Sequence, residues 1–335
     1  MIGPLTMGHS HDVLIQSMTN TKTTDYNATI YQINELAKAG AHLVRLAIPD
    51  KKSLEYLSEI VKQSTVPLVA DIHFDHKLAL GAIDAGIAKI RLNPGNIGSQ
   101  DKVKEVLLAA KKKNIAIRIG VNTGSIGESQ NKVDKAMQLM DEYLSFFESC
   151  QFQNTVVSLK SSDINTTITM NERFAMKYKY PLHLGITEAG FGQQAIVKSA
   201  IGIGAILLKG LGNTIRVSLT GDPVQEIHAA SSILKALGIN ASGVNIISCP
   251  TCARTDINVE KLAREIELKT KDIKEKITIA VMGCVVNGPG EAMEADFGIS
   301  GGKECGVIFA KGKIIKKVPE DQLVESLLDI IKEKK

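Results

Sequence analysis

The sequence predicts an α/β fold, a (β/α)8 barrel of TIM type followed by a small α+β domain, and three observations predict it. Short runs rich in Val, Ile and Leu recur eight times before residue 210. The segments between them carry helical apolar spacing, and the pattern changes in kind after a polar stretch at Asn240-Ala-Ser-Gly243. A chain of 335 residues has room for one large domain or two, and the change of pattern divides it at 1–240 and 241–335.

The eight runs are 13–18, 42–48, 67–73, 89–93, 116–121, 155–160, 181–187 and 205–208, and their starts lie 22 to 39 residues apart, room for one crossover helix each. Ile33, Leu36 and Ala37, or Leu78, Leu80, Ala82 and Ile83, show the helical period. Eight units favour a closed barrel over a doubly wound sheet, and no Gly-x-Gly-x-x-Gly follows the first run. A run at 214–219 is a ninth strand or an extension of the eighth, and a helix at about 222–237 closes the barrel. Beyond the linker the expected elements are a strand at 244–248, a helix at about 258–269, strands at 277–282, 306–310 and 313–318, and a final helix from about 319.

Composition excludes several classes. Apolar residues at 44% with 23% charged are globular usage, which removes wholesale disorder. Aromatics at 4% without Trp leave little for stacking on single-stranded nucleic acid. The Lys-rich stretches 311–317 and 332–335 read as solvated surface. The first 20 residues hold no charged leader followed by an apolar stretch, and no apolar run approaches the roughly 20 residues of a membrane span. The expectation is a soluble cytoplasmic protein with reduced thiols, so its five Cys point to metal or redox ligation rather than a disulfide framework.

Of 40 basic residues 33 are Lys, leaving seven Arg, and four of these repeat one setting: Val44-Arg45-Leu46, Ile90-Arg91-Leu92, Ile117-Arg118-Ile119 and Ile215-Arg216-Val217. A guanidinium keeps its proton, so each Arg inside a buried strand needs a fixed acceptor. Polar and turn residues follow each one, including Asn93, Asn96, Asn122 and, after Arg216, Ser218 and Thr220. They mark the strands' C-terminal ends, where a barrel carries its active site, and four planar donors converging there suit phosphate or diphosphate. The competing reading pairs each Arg with a local carboxylate such as Asp71 or Glu188. Gln16, Asp71, His73, Lys160, Ser161, Ser162, Thr187 and Glu188 stand at equivalent strand ends. Glu188 reads either as a proton donor or as a helix N-cap.

Cys249-Pro-Thr-Cys252 is a close pair on a turn after a strand, and Cys284 follows after a further helix and strand. A structural zinc site would take Cys305 as fourth ligand, but Cys305 begins CGVIFA and looks like a small buried strand residue. Cys150, at a helix end, reads as core. Three thiolates leave one corner of a [4Fe-4S] cluster to another ligand, and Glu291, in a Gly-Pro-Gly turn, is a harder and more exchangeable one.

The chain resembles the bacterial 4-hydroxy-3-methylbut-2-en-1-yl diphosphate synthase family, known as IspG or GcpE, in its compact form. The resemblance spans nearly the whole length. It is carried by Gln16-Ser-Met-Thr-Asn-Thr, Ala70-Asp-Ile-His73, Arg91-Leu-Asn-Pro-Gly-Asn96, Gly120-Val-Asn122, Thr187-Glu-Ala-Gly190 and Ile215-Arg-Val-Ser-Leu-Thr220. Its most specific blocks are Ser248-Cys-Pro-Thr-Cys252 and Val281-Met-Gly-Cys-Val-Val-Asn-Gly-Pro-Gly-Glu291. The resemblance implies a [4Fe-4S] cluster on Cys249, Cys252, Cys284 and Glu291. The implied reaction is reductive ring opening and dehydroxylation of 2-C-methyl-D-erythritol 2,4-cyclodiphosphate in non-mevalonate isoprenoid synthesis, with electrons from flavodoxin or ferredoxin. The arginines, Asn122 and Lys160 would hold the diphosphate. The longer basic lead-in of many relatives is lacking, and Cys305 matches no ligand position.

A barrel helix runs against its strands, so the helix at 222–237 ends on the face away from the arginines, and a short linker cannot return the cluster domain to its own barrel mouth. The expectation is a two-fold homodimer whose cluster domains act in trans. Two rivals remain: a pterin-dependent transferase of dihydropteroate synthase type carrying a structural zinc domain, and a zinc-ribbon binding module working through its Lys-rich tail.

Overall fold

The computed structural model describes the chain except residues 9–11, 127–130, 241–242, 285–291, 303–304 and 334–335. It divides into two compact units, Met1–Ile239 and Asn240–Lys335.

In the first unit the strands are β1 (Leu14–Met18), β2 (Leu43–Ala47), β3 (Leu68–Asp71), β4 (Lys89–Leu92), β5 (Ala116–Asn122), β6 (Thr155–Lys160), β7 (His183–Leu184) and β8 (Thr214–Ile215). They form one parallel sheet in the order β6-β5-β4-β3-β2-β1-β8-β7. A parallel bridge from Val157 to Leu182, with Val157 N–H donating to Pro181 O at 2.9 Å, joins the two ends into a barrel. Around it lie α1 (Tyr26–Lys38), α2 (Lys51–Gln63), α3 (His76–Asp84), the single turn α4 (Pro94–Ile97), α5 (Gln100–Lys112), α6 (Lys132–Ser149), α7 (Ile164–Lys177), α8 (Gly192–Leu207) and α9 (Pro223–Ala236).

Five helices start on an Asp. Asp25, Asp50, Asp75, Asp163 and Asp222 each accept a first-turn N–H, satisfying donors that the helix leaves orphaned. These carboxylates are thereby committed to local structure beside the barrel mouth.

The strands' period of two sorts their side chains. Val44, Leu46, Ile90, Leu92, Ile117, Ile119, Val157, Leu159, Ile215 and Val217 face the helices and form the main core. The alternate residues face the lumen, whose floor is closed by Ile2 packed with Leu14, Leu43, Val69 and Ala116. Above that floor the lumen is polar rather than aliphatic, a departure from ordinary barrel filling that marks a functional site. At the opposite face Ile239, where the unit ends, lines one hollow with Val13, Leu182 and Asn213 at the strands' N-terminal ends.

One expected strand is overturned: 205–208 lies at the end of α8, and the eighth strand is Thr214–Ile215. A continuous apolar run does not distinguish a buried helix from a strand. Here α8 is packed so tightly that a Cβ on Gly202 would stand 2.4 Å from Ile186.

The second unit holds β9 (Val244–Ser248), β10 (Ile277–Met282), β11 (Phe297–Ser300), β12 (Gly306–Ala310) and β13 (Lys313–Val318), in the order β13-β12-β11-β10-β9. The first three are parallel and the last two antiparallel. The helices α10 (Val259–Thr270) and α11 (Leu323–Glu333) contribute Leu262, Ile266, Leu327 and Ile331 to a core with Ile279, Val281, Ile299 and Ile308. Sequence reading misses β11, a short strand whose Gly298 gives room to the Phe309 ring, 2.2 Å from where a Cβ would lie. The last helix starts at Leu323, after Pro319 and a 3-10 turn at Glu320–Gln322, rather than at 319.

Candidate active site

Arg45, Arg91, Arg118 and Arg216 all line one cavity of about 180 Å3 at the C-terminal ends of the barrel strands, with Gly120, Asn122, Ser158, Lys160, Thr187, Glu188 and Ser218. A larger hollow of about 500 Å3 sits at the opposite face, lined by Tyr178, Tyr180, Leu207, Leu211 and peptide groups, with Lys179 as its one charged side chain among the described residues. Of these two, the smaller cavity has the chemistry of an anion site.

The arginines differ in their partners. Asp71, buried on β3, faces Arg45 at 3.8 Å and Arg91 at 3.4 Å. Burial pushes the Asp71 carboxyl up, but the His73 hydrogen bond and the two guanidiniums outweigh it and hold it well below the usual range. Arg91 also meets His73 Nε2 at 2.7 Å. Arg216 is gripped through Nε and Nη2 by the two oxygens of Glu226, at 3.2 and 3.1 Å. Glu226 is 3% exposed and also accepts from Ser17 Oγ at 2.8 Å and Leu219 N–H at 3.1 Å. Arg45 donates to the Met18 sulfur, a weak acceptor, at 3.0 and 2.9 Å. Burial, with Arg216 and Arg91 against Asp71, pulls Arg45 down to about 10, so it remains charged at neutral pH.

Arg118 is 4% exposed, and its Nε and Nη1 have no acceptor among the described residues. Burial first, then Arg45 and Arg91, push its pKa well down. A guanidinium keeps its proton, so this measures a demand for a counter-anion. Lys160 lies in the same wall, its Nζ close enough to Gly185 that a Cβ there would stand 2.6 Å away. Its pKa is pushed well down by burial and then by Arg118, Arg216, Arg45 and Arg91.

Beneath this ring, Lys89 is fully buried and donates to Gln16 Oε1 at 3.0 Å. His183, also fully buried, shares a 2.8 Å hydrogen bond with Thr214 Oγ1 and leaves Nε2 unpartnered among the described residues. Burial holds both well below their ordinary pKa, with Arg118 and Arg45 adding for Lys89 and Lys160 and Arg118 for His183.

Other candidates are placed differently. Asn93 caps α4 by accepting from Gly95 N–H at 3.2 Å, and Asn96 is exposed on that turn. Ser162 is exposed outside the cavity lining, whereas Ser161 is buried and accepts from Thr123 Oγ1 at 2.8 Å. Glu188 is exposed at the rim with φ 53°, and α8 is capped by Phe191, so the N-cap reading of Glu188 is overturned. The pairing of arginines with Glu188 is overturned too, because Glu226 takes that part for Arg216. Sequence reading missed Glu226, Lys89 and His183. Only the period-two spacing of Lys89 and Arg91, and of Thr214 and Arg216, signalled a second polar layer.

In the second unit Cys249 follows β9 and Cys284 follows β10, neighbouring parallel strands paired through Ser248 and Val281. Gly283 N–H donates to Cys249 Sγ at 3.0 Å. Cys252 is exposed, its thiol lowered by the Arg254 backbone N–H and side chain and by Thr255. Among the described residues no three His, Cys, Asp or Glu stand together as a metal-holding group, and Glu291 lies outside them. The donor chemistry nevertheless fits a soft metal centre: three thiols, two of them on adjacent strand ends and the third, Cys252, with its pKa lowered. Cys305 is exposed just before β12, not a buried strand residue, and Cys150 ends α6 against the core. No helix among the described residues is long and apolar enough to cross a membrane.

Comparison with known proteins follows the same division. Residues 1–231 match the GcpE TIM-barrel domain and 245–333 the GcpE protein C-terminal domain. The chain is 51% identical over 338 residues to a Fusobacterium nucleatum 4-hydroxy-3-methylbut-2-en-1-yl diphosphate synthase (flavodoxin), covering 99% of this chain and 96% of that protein. The enzyme of the same description from Geobacillus kaustophilus is 49% identical over 332 residues, covering 97% and 89%. Among solved structures, a Yersinia pestis dihydropteroate synthase superposes with TM-score 0.51 at 12% identity, over 71% of this chain and 98% of that one. That likeness is one of fold alone.

Proposed function

The chain belongs to the GcpE family, and from that premise we propose that it is an iron-sulfur oxidoreductase converting 2-C-methyl-D-erythritol 2,4-cyclodiphosphate to 4-hydroxy-3-methylbut-2-enyl diphosphate. The observation that carries this reading is Arg118, a buried guanidinium with unmatched donors in a ring of three more arginines. Such a ring asks for a compact, multiply charged anion, and a diphosphate supplies it. The dihydropteroate synthase alternative is left with a shared fold, which does not carry function.

Arg45, Arg91, Arg118, Arg216 and Lys160 hold the diphosphate, and Asn122 and Ser218 line its edge. Asp71 and Glu226 fix the arginine planes, so that orientation is set before the ligand arrives. Glu188, which lines the cavity at its rim, is the residue assigned in this reading to hand a proton to the departing hydroxyl. Cys249, Cys252 and Cys284, with Glu291, would hold a [4Fe-4S] cluster, which supplies single electrons and one iron site with an exchangeable ligand. Two electrons and one proton convert the dianionic cyclodiphosphate to the trianionic product and water. Flavodoxin, in the relatives' name, or ferredoxin is the donor, and the protein works in the cytoplasm.

The exit of the first unit supports a dimeric enzyme. The helix α9 carries the chain roughly 21 Å along the barrel, and Ile239 lies at the face opposite the arginines. The reading is a two-fold homodimer in which each cluster domain serves the partner's barrel.

The test is anaerobic purification followed by dithionite reduction of the cyclodiphosphate. Iron, acid-labile sulfide and formation of the hydroxybutenyl diphosphate support the reading. Zinc without iron, and no turnover, would overturn it.

A further inference from the structure

We propose that Lys160 carries a neutral amine in the empty barrel and takes up a proton when the ring of the substrate opens, so that the charge of the site follows the charge of the ligand. This rests on the diphosphate reading of the cavity and adds to it a residue that titrates during turnover.

The charges around Lys160 are few and their pairings are visible. Four guanidiniums face it: Arg118 on β5, Arg216 on β8, Arg45 on β2 and Arg91 on β4. Two carboxylates belong to the same group, and both are engaged, Asp71 on β3 with Arg45 and Arg91, and Glu226 on α9 with Arg216. Below it, His183 on β7 and Lys89 on β4 are buried, with Gln16 of β1 bonded to Lys89, and at the rim stands Glu188. Among the described residues Lys160 has no ion pair and no hydrogen-bond acceptor, and the two carboxylates of the group are taken up by three of the four arginines that face it. Without a proton on Lys160, four guanidiniums and two carboxylates leave the ring two positive charges in excess. With it, the excess is three.

The ligand makes the same step. In the cyclodiphosphate each phosphorus bears one ionised oxygen, and neither titrates near neutral pH, so the substrate is a dianion. Breaking the ring C–O bond leaves that oxygen on phosphorus, and the terminal phosphate of the product then bears two ionised oxygens, a trianion. Two electrons are consumed, the departing hydroxyl takes one proton and leaves as water, and Lys160 takes a second proton from solvent and returns it when the product leaves. Burial and the surrounding arginines lower the pKa of Lys160, and a neighbouring trianion raises it again. A lysine does this where an arginine would not, because the guanidinium stays protonated.

The experiment is titration calorimetry of the oxidised holoenzyme at pH 8 with no reductant present, in buffers of low and high ionisation enthalpy. The cyclodiphosphate and the hydroxybutenyl diphosphate are bound separately. Product binding should take up about one proton per site, and cyclodiphosphate binding clearly less. Lys160→Arg should bind the product with no uptake, and Lys160→Gln should lose the uptake together with affinity. Wild type that binds both ligands with no uptake, or with equal uptake, overturns the proposal and leaves the diphosphate reading standing. Retention of the uptake by both variants overturns it too. Wild type that binds neither ligand overturns both readings.

Discussion

Lys89 Nζ donates to Gln16 Oε1 at 3.0 Å across the lumen, tying β4 to β1 beneath the arginine ring, and both side chains are buried. Gln16 Nε2 has no partner among the described residues, so the pair is a bond between two groups that had other demands in water. Gln16→Leu leaves the lysine amine without its acceptor and should cost about 1–3 kcal/mol. The double variant Gln16→Leu with Lys89→Met replaces both polar ends by apolar groups and should return to within about 1 kcal/mol of wild type. Denaturant unfolding of the four proteins of this cycle measures the coupling, and additive costs would show that the bond contributes nothing.

The pH dependence of stability follows from the same lysines. Lys89 and Lys160 have pKa values below their unfolded ones, so between the folded and unfolded values the unfolded chain binds more protons. Stability of the ligand-free protein should therefore rise with pH between those limits, by about 1.4 kcal/mol per pH unit for each lysine in its titrating window. Asp71, lowered in the fold, contributes stability above its unfolded pKa that is lost as pH falls further. Unfolding midpoints from pH 7 to 9 should climb for wild type and climb less for Lys89→Met. A flat wild-type profile would mean that both lysines are charged in the fold.

Glu226 is the acceptor that fixes Arg216, and it also takes the Ser17 hydroxyl and the Leu219 N–H. Glu226→Gln keeps the size but removes the charge, leaving the guanidinium free to swing. Activity on the cyclodiphosphate should fall roughly 10- to 100-fold, and stability by about 1–3 kcal/mol. Steady-state kinetics beside thermal unfolding check this, and unchanged kinetics would show that Arg216 is held by other means.

Gly185 lies where strand β7 meets the wall. A Cβ there would stand 2.6 Å from Lys160 Nζ and 2.7 Å from the Arg216 carbonyl oxygen, and the second contact is backbone. Gly185→Ala should therefore displace both groups, weakening cyclodiphosphate binding and costing about 1–3 kcal/mol of stability. Unaltered affinity would show that the wall yields.

The arginines were legible because a charged residue set between aliphatic neighbours in a barrel strand has one place to go. Glu226 was not, since PVQEIHAA reads as an ordinary helix, and only the fold brings α9 against the end of β8. Lys89 opens its apolar run and so resembled a strand flank, although its spacing to Arg91 places both in the lumen. The eighth strand was misplaced because α8 is apolar on most faces, while Thr214–Ile215 is two residues long. The spacing of Cys249 and Cys284 matches two neighbouring strand ends, whereas Cys305 looks like core in the sequence and is exposed in the structure.

The proposed homodimer with clusters acting in trans, suggested by the end of the barrel unit at Ile239 on the face away from Arg118, is testable by mixing subunits. One subunit carries Arg118→Ala, which removes the buried guanidinium, and the other carries Cys284→Ser, which removes a thiol at the end of β10. Each homodimer should be inactive. If clusters act in trans, random exchange makes half the dimers mixed, and each of these pairs one intact barrel with one intact cluster domain, giving about a quarter of wild-type activity. If clusters act in cis, each mixed dimer combines two broken sites and activity stays at background, with exchange confirmed by native mass spectrometry of differently tagged subunits.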